Sequence, residues 1–491
     1  MTIRPARFAT TRFAGTRRRR GARSRALHTL ALTVVLTFAL AGQTAAQGDG
    51  RSARPFGTLR EQAAIQQQWL VRRMQTVLPA LMLKHGVDMW VIPMREYVED
   101  PVFTSIVSPT TFAARRRTIY VFYDPCTKLP RGLCDAAFGR TALGGTSQGG
   151  VYQALRSTRP AAGPAGGRTE RRAELWGDEQ WQALKQVIEE RDPRVIAINT
   201  SRDWAFADGL TAAESEAMRA VLGAKWTARM RPAEQLAVEL IAARLPEEEP
   251  VFERMNALAW AIIDTAFSAA VIKPGVTRTD EVVWWMRQRL NDLGLDTWFH
   301  PSVTVQRRGA TPEELGDNPV IQRGDVLHCD FGITAMRLNT DTQHMGYVLR
   351  EGETDAPAGL KRALAASNRL QDIVVAELRP GRTGNEVLRS SLERMRREGI
   401  DGTVYSHPVG MHGHGAGPLI GLWDRQESVP GRGDARVLPS TWFSIELQAT
   451  TPVAEWGGQP VRSAQEEDVI IDAGGRVRWA YRRQTEFHLV R

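Results

Sequence analysis

Two stretches of the chain echo one another. Lys273-Pro-Gly-Val-Thr277 leads into Glu281-Val282 and Gly294, and Arg379-Pro-Gly-Arg-Thr383 leads into Glu386-Val387 and Gly399, with the Gly twelve residues after the Val in both. Each copy reads as a Pro-Gly-x-Thr turn capping an amphipathic helix that a glycine stops. Apolar, strand-like sequence containing His and Pro follows each helix. The echo therefore predicts a domain of two related α/β halves with its active site at their junction.

That domain should begin near Met230-Arg-Pro232, where helical segments over 233–244 and 249–271 start. Upstream, a helical pattern from Thr58 to Gly86 places Leu70, Val71, Met74, Val77, Leu78 and Leu81 three and four residues apart. Asp88–Met94, Thr118–Tyr123 and Arg194–Asn199 read as strands, Asp178–Glu190 and Thr211–Leu222 as helices, and Gly144–Gly167 as a loop. Alternating strands and helices predict a separate α/β domain over 56–229. A length of 491 residues with 42% hydrophobic content and 14 Trp supplies cores for both.

The net charge of +9 suggests a polyanion binder until the charges are located. Residues 1–46 hold nine Arg and no Asp, Glu or Lys, so the remainder carries 9 − 9 = 0, and nucleic acid is not an expected partner. The Arg-rich start, the apolar run Leu30–Ala41 and the small-residue end Thr44-Ala-Ala46 read as a secretory signal peptide cut after Ala46, through the general or the twin-Arg route. The apolar run is too short to span a bilayer comfortably. A periplasmic or secreted protein without stable membrane association is expected. In an oxidising compartment Cys126 and Cys134, eight residues apart, can pair or stay free, while Cys329 reads as a buried strand residue.

The chemistry concentrates downstream. In Arg323–Tyr347 two strand-like runs each carry an Asp, Asp330 and Asp341, in an apolar or small-residue context. A buried carboxylate needs a partner, and a metal would serve. Ser406-His-Pro-Val-Gly-Met-His412-Gly-His414-Gly-Ala-Gly417 presents imidazoles from a glycine-rich loop. Trp442-Phe-Ser-Ile-Glu446-Leu and Gln465-Glu-Glu-Asp468-Val-Ile-Ile471 put further carboxylates in strands.

In order and spacing, this set resembles the metal ligands of the methionine aminopeptidase, Xaa-Pro aminopeptidase, prolidase and creatinase family with the pita-bread fold. The resemblance covers 231–491, and residues 56–229 look like the amino-terminal domain of the creatinase and prolidase branch. It implies a creatinase-like α/β domain followed by a pseudo-twofold pita-bread catalytic domain. It further implies Asp330 as a ligand of one metal, Asp341 and Glu466 as bridges, and His414 and Glu446 as ligands of the other. Glu466 is preferred to Glu467 because two acidic residues and an apolar run follow it. His414 is preferred to His412 because Gly413-His414-Gly-Ala-Gly417 fits the family motif. Four carboxylates in one pocket repel one another unless two dications compensate them. Oxygen-rich ligation with one imidazole suits Mn²⁺, with Co²⁺, Fe²⁺ or Zn²⁺ also fitting.

The implied activity is hydrolysis of the bond after a peptide's first residue, of Xaa-Pro aminopeptidase or prolidase type, in a chain that relatives suggest can form a homodimer. The pattern also departs from the family. No His lies between Pro301 and Leu327, Gly421 stands where a His usually follows the metal His by seven residues, and His344 stands where Arg usually follows the second Asp by three. His407 and His412 are candidates to replace the missing substrate-polarising imidazoles, their other reading being hydrogen-bonded loop residues. A catalytically silent peptide-binding member and a metal-free creatinase-like C–N hydrolase are the alternatives.

Overall fold

Strands β1 (Met89–Arg95) and β2 (Arg117–Tyr123) are apolar almost throughout, as strands covered on both faces must be. They lie at the centre of a seven-stranded sheet with β3 (Gly139–Leu143), β4 (Gln153–Ala162), β5 (Arg168–Glu174), β6 (Ile196–Ile198) and β7 (Met230–Pro232), in the order β5-β4-β3-β2-β1-β6-β7. On one face Trp90, Ile92 and Phe122 pack with Met74 and Leu78 from the helical segment Leu59–Lys84. On the other, Met89, Val91 and Val121 pack with Trp181, Leu184 and Ile188 of the helix Asp178–Arg191. The computed structural model describes residues 54–129, 134, 137–163 and 168–491, so the expected signal peptide lies outside the described residues. Cys126 and Cys134 are joined by a disulfide. No helix among the described residues is long and apolar enough to cross a membrane.

One expectation fails here. The segment 144–167 contains β4, which pairs with β5, where a loop is expected. Its residues are mostly exposed and polar, so the strand carries little of the apolar alternation by which sequence reveals one.

The second sheet comprises β8 (Ser302–Gln306), β9 (Val326–Phe331), β12 (Thr342–Val348), β13 (Asp401–Val404), β14 (His407–Val409), β15 (Thr441–Val453), β16 (Gln459–Ile471), β17 (Val477–Trp479) and β18 (His488–Val490). Its spine runs β13-β15-β16-β12-β9-β8, with β14 beside β15, β17 beside β16 and β18 beside β12. A short hairpin of β10 (Thr334–Ala335) and β11 (Leu338–Asn339) joins β9 to β12.

The sequence echo appears as the helices Thr279–Asp292 and Gly384–Arg397, each stopped by a glycine in the left-handed region, Gly294 at φ 68° and Gly399 at φ 69°. They belong to different cores: Val282 and Met286 pack with Phe331, and Val387 and Leu392 pack with Phe443. Thr383 caps its helix, accepting from the Glu386 amide at 3.2 Å. The first copy has one more residue between Thr and Glu, so Thr277 falls short of the cap and accepts from the Lys273 amide at 2.9 Å.

Residues Ala53–Arg491 form one compact unit. Two contacts, one of them buried, tie its amino-terminal strands and helices to the part built on the second sheet. Arg73, in a π-helical turn, donates to the Leu240 and Ala243 carbonyls and to Glu248 Oε1 at 2.8 Å. Arg337, at the tip of the β10–β11 hairpin, donates to the carbonyls of Thr104, Val107 and Ser108.

Candidate metal centre

Antiparallel pairing aligns the acidic residues. Asp330 on β9 lies opposite Gln343 on β12, Gln343 opposite Glu466 on β16, and Glu466 opposite Glu446 on β15, so four side chains form one row across four strands. Neighbouring strands are about 4.8 Å apart, which brings the carboxylates within reach of a common ion. Asp341 lies two residues before Gln343, hence on the same face. His407 on β14 pairs with Ser444, two residues before Glu446.

Neutral donors hold the row. Gln343 Nε2 donates to Glu446 Oε1 and Glu466 Oε2, both at 2.8 Å, and Ser444 Oγ donates to Glu466 Oε1 at 2.6 Å. The Asp341 amide donates to Asp468 Oδ2 at 3.2 Å. Three sets of donor atoms lie within 4.8 Å of one another: Asp330, Asp341 and Glu466; His407, Glu446 and Glu466; and Asp341, His407 and His414. All five residues expected as metal ligands thus come together, and His407 joins them.

His407 is fully buried, with Nδ1 3.0 Å from the Pro408 carbonyl. A carbonyl can only accept, so Nδ1 donates to Pro408 and Nε2 faces the carboxylates. Glu466 Oε1 is 3.4 Å away, Asp341 Oδ2 3.6 Å and Glu446 Oε2 3.8 Å. His412 lies outside these donor sets. Its ring packs against Phe206 at 4.9 Å and lines a cavity of about 450 Å³ with Val238, Ile241, Met411 and Trp442.

Burial pushes Asp330, Asp341 and Glu446 well above the usual carboxylate range, and the neighbouring Glu466 charge adds to the shift in each. Partial loss of hydration, with His407 beside it, lowers His414 to about 4, so its imidazole is neutral near pH 7. Among the described residues His407 Nε2, Asp330 Oδ1 and Asp341 Oδ1 are buried without a hydrogen-bond partner. Orphaned acceptors converging on one point, among carboxylates that resist ionising together, fit divalent cations.

His344 takes another course. It bonds Glu467 Oε1 at 3.1 Å and His488 Nε2 at 3.0 Å, and His488 reaches Asp264 Oδ1 at 2.9 Å. Glu467 therefore faces away from the carboxylate row.

Sequence reasoning missed several neighbours. Tyr405 lies with its ring 5.3 Å from His407 and 6.1 Å from His414. Arg432 donates to the Gly415 carbonyl at 3.0 Å, stacks over Trp204 and Phe206, and keeps a buried Nε without a partner. Trp298 meets His414 edge to face at 5.0 Å. An isolated Tyr, Arg or Trp in a loop carries no spacing signal; only the fold gathers them.

The two halves with a row of inward carboxylates at their junction define the pita-bread class of metal-binding fold. Residues 254–475 match the model of metallopeptidase family M24. Solved structures share the fold at low identity. The X-Pro aminopeptidase of Thermotoga maritima MSB8 is 15% identical, with a TM-score of 0.54 over 82% of this chain and 98% of that one. The Xaa-Pro dipeptidase of Bacillus anthracis is 16% identical, with a TM-score of 0.54 over 87% and 100%. The N-terminal domain of FACT complex subunit SPT16 from Cicer arietinum is 10% identical, with a TM-score of 0.54 over 87% and 99%. No curated protein matches the chain in sequence. A fold found under such different names does not decide activity, so the site residues must carry the argument.

Proposed function

We propose that the protein is an exported dinuclear metallopeptidase that hydrolyses the bond after the first residue of peptides, of Xaa-Pro aminopeptidase or prolidase type. The observation that carries this reading is the row Asp330, Gln343, Glu466, Glu446 with Asp341 and the orphaned His407 Nε2 beside it, inside a segment that matches a metallopeptidase family. Asp330, Asp341, Glu446 and Glu466 with an imidazole would hold two divalent ions, whose Lewis acidity polarises a carbonyl and lowers the pKa of water.

The chain's own residues supply the rest. Gln343 and Ser444 fix the carboxylate oxygens. Tyr405 presents a phenol beside both imidazoles, and burial keeps it protonated and thus a hydrogen-bond donor. Arg432 offers its unpartnered Nε as a counter-charge for a peptide carboxylate. Trp298 walls the cleft beside His414.

The test is hydrolysis of matched short peptides with and without Pro at the second position, by metal-replete protein and by its Asp341→Asn variant. Turnover on the Pro-containing set, lost together with metal in the variant, is expected. Full metal occupancy without turnover would favour the silent member, and undiminished turnover after chelation the creatinase-like hydrolase. Mass spectrometry of the exported protein should find residues 1–46 removed; an intact leader on active cytoplasmic enzyme would reject export.

A further inference from the structure

We infer that the cavity beside the imidazole loop is a second binding site, built for a small molecule with an apolar body and a single carboxylate. None of the candidate metal ligands lines it, so the inference stands apart from the peptidase reading.

The cavity measures about 450 Å³, within the range of small-molecule sites. Val238 and Ile241 from the helix Glu234–Ala242 form one apolar wall, and Pro408, Met411, Trp442 and Phe443 form the other. All of these but Met411 are buried. Lys84 lies at the mouth with its side chain about half exposed, and it is already paired with Glu239 at 2.7 Å. The charge at the entrance is therefore spent.

Polar atoms without partners collect around the apolar walls. Trp442 Nε1 and His412 Nδ1, on residues that line the cavity, are buried without a hydrogen bond, and so is Arg244 Nη1. The other nitrogens of Arg244 are engaged: Nε and Nη2 donate to the carbonyls of Ala242 and Ile241, at the end of the lining helix. Its guanidinium lies 5.4 Å over the Trp442 ring and abuts Gly410, where a Cβ would stand 3.2 Å from Nη1.

Positive charge is left over as well. The ion pairs of Arg73 and Arg244 both fall on Glu248, at 2.8 and 3.8 Å, so two buried guanidinium groups share one carboxylate. A buried cation without an anion of its own is costly, and an incoming carboxylate would relieve that cost through a charge-assisted hydrogen bond. The Trp442 indole can only donate, which also calls for an acceptor. A ligand of this class would pack against Pro408, Met411 and His412, in the segment that presents His407 and His414, so its binding should alter how that segment is held.

The test is titration calorimetry on the metal-loaded full chain. Octanoate is the probe, octanol and octylamine are its uncharged and cationic counterparts, and N-acetyl-leucine offers a carboxylate on an amino acid. Octanoate or N-acetyl-leucine should bind saturably, at least about 10-fold more tightly than octanol, and octylamine should not bind. The tighter of the two carboxylates identifies the source, a fatty acid or a peptide carboxyl terminus. Ala242→Phe fills the cavity from its wall and should abolish binding, whereas a carboxylate captured by the metals would still bind this variant. Arg244→Met should bring octanoate down to the affinity of octanol while leaving octanol unchanged, a selective loss that misfolding would not produce. Trp442→Phe keeps an aromatic ring, removes the donor and should weaken octanoate without reversing the preference for charge. Absence of saturable binding, equal affinity for octanoate and octanol in the wild type, or binding that survives Ala242→Phe would overturn the inference. Carboxylate binding of the expected pattern in a protein that hydrolyses no peptide would overturn the peptidase reading alone.

Discussion

At single residues the site was legible wherever chemistry leaves a trace in composition. Asp330, Asp341, Glu446 and Glu466 stand out because a carboxylate inside an apolar strand needs an explanation. Gln343 and Ser444 leave no such trace, being neutral and ordinary in strands, yet they hold both strand glutamates. Replacing Gln343 with Leu should lower metal affinity by about 10–100-fold with little loss of fold, as titration calorimetry would show. An unchanged affinity would mean that the carboxylates keep their geometry unaided. Gly413→Ala should displace Trp298, shifting indole fluorescence and weakening metal binding; a variant with native fluorescence would show that the loop yields instead. The histidines show the limit of motif reading. His407, His412 and His414 share one short segment, and strand pairing sends His407 to the carboxylates while His412 turns to Phe206.

At the level of elements, strands with apolar runs and helices with glycine stops were readable, and β4 and β5 were not, because their stability comes from pairing with each other and with β3. The internal echo was readable as a pair of helices, but not the capping difference between them. Thr383→Ala removes a cap and should destabilise by about 1 kcal/mol in denaturant unfolding. Thr277→Ala lacks that role, so a cost confined to its turn is expected. Equal effects would show that the copies are held alike despite the inserted residue.

In the whole molecule, charge sets the response to pH. Buried Asp330, Asp341 and Glu446, raised above their unfolded values, favour the metal-free fold below the ordinary carboxylate pKa of about 4 and lose that contribution as pH rises. His344 and His488, lowered by burial to about 3 and about 4, act oppositely: their contribution is present above the unfolded value of about 6.5 and falls as pH drops toward the folded values. Added metal neutralises the carboxylates, so the rise in melting temperature on adding metal should be larger at pH 8 than at pH 5. A metal-induced shift independent of pH would exclude the carboxylates as its source. Glu248 lies between Arg73 at 2.8 Å and Arg244 at 3.8 Å, all three buried. Glu248→Gln strands two guanidinium charges and should cost about 3–5 kcal/mol in denaturant unfolding.

The Arg337 contacts bear on how such a chain can be cut and recombined. The hairpin that carries Arg337 connects the strand ending beyond Asp330 to the one beginning after Asp341, and its tip is fastened to three carbonyls of the amino-terminal part. A gene fragment beginning near residue 231 would encode every candidate metal ligand and still lack the anchor for the link between two of them. The amino-terminal part is thus scaffolding for the candidate metal centre, and swapping it for that of a relative would require matching the acceptor loop at Thr104, Val107 and Ser108.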